Sequence, residues 1–309
     1  MNNQQNMERL APKGRSLWKD GLRRLLRRKI AMVSFVIIVL YFLLAGLIYV
    51  GEICNWQWAA VEWSQNVGKQ YQPPSREHIF GTDIFGQSVF RKTLYGAKIS
   101  LMVALCASFV SIAIGVPLGA MAGYFRGLVD EIIVWIYSTL SSIPYILLIL
   151  AFAVVLRERT LFGHKLTGIT SVYLAIGLTS WVGLCRLIRG EVIKHKEREY
   201  VMAAKSYGCS NRRIIFRHLL PNVAHLVIID FSLRFVYFIH AEVILSFLGL
   251  GEANRPSWGA MINDARIEMS RGVWWQMAAA TLAIFVISLA LNIFGDALRD
   301  CLDPKLRIQ

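Results

Sequence analysis

Few residues in this sequence stand at spacings that support covalent chemistry. Gly68-Lys69 is followed by Gln70 and lacks the upstream glycine, so it is not the GxxxxGK[ST] loop that cradles phosphates. No GxSxG elbow and no HExxH helix occurs. His240 and Glu242 are two residues apart and point to different faces of a helix, which makes them a poor metal pair. Gly295-Asp296 has the look of half an intramembrane aspartyl site, but no matching second aspartate motif is evident. The cysteines, Cys54, Cys106, Cys185, Cys209 and Cys301, show neither CxxC nor Cys/His ligand spacing. Asp230 and Arg234 are i,i+4 on one helix face, where mutual neutralisation accounts for both. The chain therefore carries no catalytic constellation and no cofactor site of its own. If it moves a solute uphill, the energy comes from an ion gradient or from another subunit.

Composition sets the frame for these residues. The chain has 309 residues, 55% hydrophobic and only 17% charged, where a soluble domain carries about a quarter. Several uncharged runs reach the roughly 20 residues needed to cross a bilayer. In lipid every backbone polar group must be satisfied within the protein, which selects helices. The expectation is an all-α, polytopic membrane protein. The net charge of +14 does not indicate nucleic acid. The basic residues cluster before residue 30 and between Arg189 and Arg217, against apolar spans, where retention at a membrane face and contact with lipid explain them.

About six transmembrane helices are expected. Residues 1–29 form a basic tail and 30–50 a first span, retained rather than cleaved. Residues 51–98 are mixed; Trp56, Trp58 and Trp63 suit an interface, and the following glycines and short apolar groups suggest turns and a surface-lying helix. A second span runs over about 99–124, with Gly115, Gly119 and Gly123 as close-approach positions. The third, 132–156, has Pro144 at its middle, read either as a packing kink or as a hinge lining a path. The fourth covers about 169–185 and the sixth 273–295. The fifth, 223–250, holds His225, Asp230, Arg234, His240 and Glu242. Ionisable groups inside a membrane face a bundle interior or water. Glu242 has no partner in sequence, which leaves it as a candidate pathway or gating residue or as a structural one. Lys and Arg are about twice as frequent in connections on the side of the termini as in the opposite set. The positive-inside rule then puts both termini, and the segment 189–222, in the cytoplasm.

That segment contains EYVMAAKSYGCSNRRIIFRHLLPN, residues 199–222. It suits a short helix ended by Gly208, then a second short helix stopped by Pro221. Small and apolar residues, Ala203 and Ala204 among them, fit a plug for a groove on a soluble partner. The arginines equally fit lipid phosphates. Both readings stand on physical grounds alone.

The segment resembles the coupling loop of ABC importer permeases, in the form used by the dipeptide/oligopeptide/nickel group: Glu199, Tyr200, Val201, Ala203, Ala204 and Gly208, then Arg217, Pro221 and Asn222. The resemblance extends along the chain. GTDxxG (Gly81, Thr82, Asp83, Gly86), YGxxxSL from Tyr95, ExxLSFLGLG from Glu242, PSWG from Pro256 and NxxGDxLRDxLDP from Asn292 all fit the C-type permease of that group. Departures fall at Gln87, Ser88, Trp135, Ser138 and Ala280.

The resemblance implies a type I ABC importer transmembrane domain in a bacterial inner membrane, with a core permease domain over 99–297 and a C-terminal cytoplasmic piece, 298–309. It implies a heterodimer with a second permease, two ATP-binding subunits that hold the ATP, and an extracytoplasmic solute-binding protein. It also implies that Glu199, Tyr200, Ala203, Ala204, Gly208 and Pro221 form the ATPase-coupling loop. The substrates implied are di- or oligopeptides or a related small solute. The alternative is an ion-gradient-driven secondary transporter, which would show inverted repeats; no convincing repeat relates spans 1–3 to 4–6. A non-transporting scaffold would need neither Glu242 nor a docking loop.

Overall fold

The computed structural model describes residues 25–55, 62–157, 159–161, 163–166, 168–252 and 254–302. Most of the basic tail, Trp56, Trp58 and Pro304 lie outside them. Apart from turns and two isolated bridges within residues 62–88, the regular structure of the described residues is helical, with one two-residue antiparallel ladder, β1 (Thr160–Leu161) with β2 (His164–Lys165). In order, the helices are α1 (Lys29–Ile53), α2 (Val89–Phe125), α3 (Leu128–Ser141), α4 (Tyr145–Leu156), α5 (Gly168–Lys196), α6 (Glu199–Ser206), α7 (Asn211–Arg213), α8 (Leu220–Phe247), α9 (Trp258–Met269) and α10 (Trp275–Leu302). A six-residue π-helix, Ile214–Leu219, joins α7 to α8.

Among the described residues four helices are long and apolar enough to cross a membrane: α1, α2, α5 and α10. The bent pair α3 and α4 makes a fifth. The remaining expected span is α8, which has the length, at 28 residues, and carries the ionisable groups. Three expectations change. The second span begins ten residues earlier than the hydropathy break, because VFRKTLYGAK continues α2 instead of forming a surface helix. At about 1.5 Å per residue its 37 residues span about 55 Å, well beyond a hydrocarbon core of about 30 Å. The third span is broken rather than kinked, since α3 and α4 meet at 95°. Pro144 has no N–H to continue the helix and instead sits at the N-cap of α4, with ψ 127°. Finally, the loop after the fifth span contains α9, capped by Ser257 Oγ accepting from the Ala260 amide.

The helices assemble around α2 and α5, which have the most extensive contact of any pair. The cause is a stripe of glycines at every fourth residue of α2. A Cβ on Gly115, Gly119 or Gly123 would lie 2.9, 2.6 and 2.7 Å from the carbonyl oxygens of Trp181, Cys185 and Arg189 on α5. Hydrogen in place of a side chain lets the two backbones touch along this stripe. Arg189 then grips Asp130 through two bonds, Nε at 2.6 Å and Nη2 at 2.7 Å, which holds α3 to α5.

Two ends of the bundle follow from side-chain pairings. Glu52 near the C-terminus of α1 meets Tyr95 and Lys98 near the start of α2. The opposite end gathers Arg28 with Asp300 at 2.8 Å and the C-terminus of α2, where Tyr124 donates to Asn211 at 2.7 Å. The segment α6–α7 therefore lies at the end where α1 begins and α10 finishes; it carries the expected coupling loop and is called the coupling end below.

Candidate functional site

The coupling end is built from the local chemistry of residues 199–222. Glu199 occupies the first turn of α6, where a carboxylate favours the positive end of the helix. Gly208 follows the helix with φ +72°. Its amide bonds to the Lys205 carbonyl at 2.9 Å, and the Cys209 amide bonds to that of Ala204 at 3.1 Å. This pair of bonds is the Schellman arrangement, which turns the chain sharply and needs the left-handed region that glycine enters at no steric cost. Ser210 then caps α7 by accepting from the Arg213 amide.

The two short helices are seated by their apolar sides. Val201, Ala204, Ile214, Ile215, Leu219 and Val223 are buried against Tyr124, Leu184, Ile188 and Val192 from the ends of α2 and α5. Tyr200 is tied inward through its hydroxyl to His195 Nδ1 at 2.9 Å. Burial raises the Tyr200 hydroxyl above its ordinary pKa. The opposite face stays open: Glu199, Lys205 and Ala203 are exposed, as are Met202 and Tyr207, the last at 87%. Ala203 and Ala204 thus divide. One faces out, and the other packs into this chain's own core, because adjacent helical residues stand about 100° apart.

Pro221 does not stop the second short helix. The chain passes from α7 through the π-helix into α8 without leaving helical geometry. Proline cannot donate to the carbonyl four residues back and crowds it; a π turn is wider and occurs as a bulge within α-helices, frequently at functional sites. Asn222 Nδ2 covers the His218 carbonyl at 2.7 Å. The exposed helix α6 is joined by one tight turn to a single continuous helical rod that ends at Phe247.

That rod lines a cavity of about 940 Å³ formed by the α3–α4 break together with α5, α8 and α10. Pro144, Tyr145, Ser180, Gly183, Arg234 and Asn292 are among its walls. The Tyr145 and Ser180 hydroxyls share a hydrogen bond of 2.8 Å. Arg186 donates to Ser141 at 2.9 Å and stacks over the Tyr137 ring at 4.7 Å. Arg234 Nε donates to Asp230 Oδ1 at 2.7 Å, so the expected i,i+4 pair forms. A second cavity of about 370 Å³ lies between α5, α8 and Arg299, and it shares Asp230 and Leu233 with the first.

Glu242 does not line either cavity. It is buried at the far end of α8, where Ser246 Oγ donates to Oε1 at 2.6 Å and Ser100 and Ser257 stand beside it. Around it, Gly251 and Gly259 pack directly on Ser246. Its place is a junction of α2, α8 and α9.

The GTDxxG motif proves to be a packing device at the same end. Asp83 Oδ1 accepts from the amides of Phe85 at 2.9 Å and Gln87 at 2.8 Å, while Oδ2 pairs with Lys92. Trp275 Nε1 donates to the Thr82 carbonyl at 2.9 Å, and Trp258 Nε1 to that of Thr93 at 3.0 Å. Of the departures, Gln87 takes the Ser64 carbonyl and Ser88 caps α2, so both fit locally. Trp135 and Ser138 are exposed, and Ala280 is fully buried.

The family described as "Binding-protein-dependent transport system inner membrane component" matches residues 115–308. The chain belongs to this family. "N-terminal TM domain of oligopeptide transport permease C" matches residues 16–74. Among relatives of this permease, the dipeptide transport system permease protein DppC of Bacillus subtilis (strain 168) is 37% identical over 99% of this chain and 92% of its own length. The oligopeptide transport system permease protein OppC of the same organism is 34% identical over 97% and 93%. The glutathione transport system permease protein GsiD of Pectobacterium atrosepticum is 33% identical over 95% and 93%. A chain from the MetNI methionine ABC transporter, in inward-facing conformations, superposes with a TM-score of 0.55 at 13% identity, over 69% of this permease and 96% of that chain. That likeness concerns the fold, the transmembrane domain of an ABC importer. The protein is thus a multi-pass permease subunit of the bacterial inner membrane, and ATP hydrolysis belongs to partner subunits.

Proposed function

We propose that this permease pairs with a second, different permease and that two ATP-binding subunits and an extracytoplasmic solute-binding protein complete the importer, with di- or oligopeptides as cargo. The names of the relatives, dipeptide and oligopeptide permeases at 34–37% identity over nearly the whole chain, support the cargo class. The termini and α6 lie on the cytoplasmic side, as the excess of Lys and Arg there supports. The outward face of α6, with Glu199, Met202, Ala203 and Tyr207, seats in a groove on one ATPase. Nucleotide-driven closure of the ATPases pulls α6. The Gly208 turn passes the displacement to α7, and the helical rod carries it to the cavity walls at Asp230 and Arg234.

The single observation that carries this reading is the continuity of α7, the π-helix and α8, which gives the exposed helix a stiff connection to the cavity. The test is Gly208→Val in the assembled importer. Space around Gly208 is open, so the substitution costs backbone strain of about 1–2 kcal/mol and no clash. Uptake per ATP hydrolysed should fall while the bundle remains folded. Wild-type coupling in that variant, or a tagged permease that brings down no ATPase, refutes the proposal.

A further inference from the structure

The ion pair on α8 has more hydrogen-bonding capacity than it uses. Arg234 engages Asp230 through Nε alone; among the described residues Nη1 and Nη2 have no hydrogen-bond partner, and neither has Asp230 Oδ2. The Arg234 side chain is a third exposed, at 33%, and lines the 940 Å³ cavity. It lies against Gly183 of α5, where a Cβ would stand 2.2 Å from Nη2 and 2.8 Å from Cζ and Nη1 and would push the guanidinium aside. A pair built only for mutual neutralisation would engage both carboxylate oxygens, as Arg189 does on Asp130 through Nε and Nη2. Here Nε holds the arginine in place and leaves its planar fork of donors free.

The position of the pair matters as much as its geometry. Asp230 and Leu233 are common walls of the central cavity and of the smaller cavity that reaches Arg299 and His225 at the coupling end. Asp230 thus stands where the two cavities adjoin, one turn from Arg234. The rest of the central lining supplies hydroxyls, at Tyr145, Ser180 and Ser142, and the Asn292 amide, with apolar Leu140 and Phe238. Its volume falls at the upper end of the roughly 300–1,000 Å³ typical of small-molecule sites.

We propose that Arg234 is a carboxylate-recognition residue on the translocation path. Its free Nη groups take the terminal carboxylate of a zwitterionic solute, Asp230 orients the guanidinium through Nε, and Gly183 clears the space it occupies. A bidentate guanidinium–carboxylate contact suits this role because its planar fork matches the two oxygens and a lysine does not reproduce it. Asp230 Oδ2 remains available to the ammonium of the same solute. This proposal rests on the peptide-importer reading above.

The test uses the complete importer, with its own partner subunits and binding protein, reconstituted in proteoliposomes. ATP-driven uptake is measured for a dipeptide with free termini and for its C-terminal amide. Arg234→Gln paired with Asp230→Asn removes both charges without stranding one, and co-purification of the partner subunits with this variant checks assembly. Uptake of the free dipeptide should fall about tenfold, the size of a lost charge-assisted hydrogen bond, with the amide changed less than about twofold. Gly183→Ala, which leaves both charges in place and displaces only the guanidinium, should reproduce the same selectivity loss in milder form. An equal response of the two solutes, or no loss in either variant, overturns the carboxylate role and leaves the importer reading intact. A wild-type complex that shows no ATP-driven uptake of the dipeptide refutes the importer reading itself.

Discussion

The two ends of this permease are held together by different means. At the far end, indole and carboxylate groups bond directly to backbone: Trp275 to Thr82, Trp258 to Thr93, and Asp83 to two amides. Glu242 is enclosed among serines. At the coupling end the inward faces of α6 and the π-helix are held by aliphatic packing, and the outward faces keep Met202, Tyr207 and Phe216 exposed. Aliphatic packing is non-directional and tolerates small shifts, whereas a buried hydrogen bond fixes a geometry. On the proposed function, the difference separates a clamp from a moving part.

Substitutions test that contrast in decreasing order of effect. Trp258→Ala removes a fully buried indole and its bond to Thr93, and should cost about 3–5 kcal/mol. A drop of only a few degrees in unfolding temperature would deny the far end its clamping role. Gly119→Leu forces a side chain against the Cys185 carbonyl and the Ile188 side chain, a loss of at least about 1–3 kcal/mol by the same measurement. Gly208→Val should cost about 1–2 kcal/mol locally and show itself in coupling rather than in the unfolding temperature.

A pH dependence sharpens the picture of the clamp. Burial pushes Glu268 above its ordinary value of 4.5, with Asp83 and Asp264 adding repulsion and Lys92 and the Ile84 backbone opposing it. Burial also pushes Asp264 up. The folded state therefore binds these protons more tightly than the unfolded chain does. Their contribution is fully present below the ordinary carboxylate pKa and is lost as pH rises through the raised values. Unfolding temperature should increase on acidification from neutral toward pH 5, and Glu268→Gln should flatten that rise. A rise unchanged in the variant would assign the effect to other groups. The smallest effect belongs to the surface pair of Arg28 and Asp300, about half exposed on each side. Asp300→Asn should change stability by about 0–1 kcal/mol.

Hydropathy located the helices well because bilayer thickness imposes a length that sequence cannot conceal. It placed α1, α5 and α10 from uncharged runs alone. It failed where helices outlast the membrane or break within it. The start of α2 carries Arg91, Lys92 and Lys98, which read as a polar surface piece, yet the two lysines are buried and their charges meet Asp83 and Glu52. The 95° break at Pro144 exceeds what a single proline dictates. It depends on Arg189 holding α3 while Tyr145 holds α4 to Ser180. Asp230 and Arg234 were legible as a pair, because i,i+4 is a local rule. Their free atoms were not, because those depend on a glycine fifty residues earlier. The motif around Glu242 was legible as a motif, and its burial among Ser100, Ser246 and Ser257 was not.

By itself the sequence determined a helical membrane protein, the family of the permease and the turn at Gly208. Spans, motifs and left-handed glycines are local properties, fixed by chain chemistry over a few tens of residues. The tertiary structure decided which faces of those helices remain free. It turned Ala204 inward and Ala203 outward, carried the chain past Pro221 on a π turn, and buried Glu242 at a helix junction while leaving Arg234 on a cavity wall. Each of these outcomes depends on what a distant helix presents at the same height in the bundle, and such contacts leave no periodicity in the sequence to read.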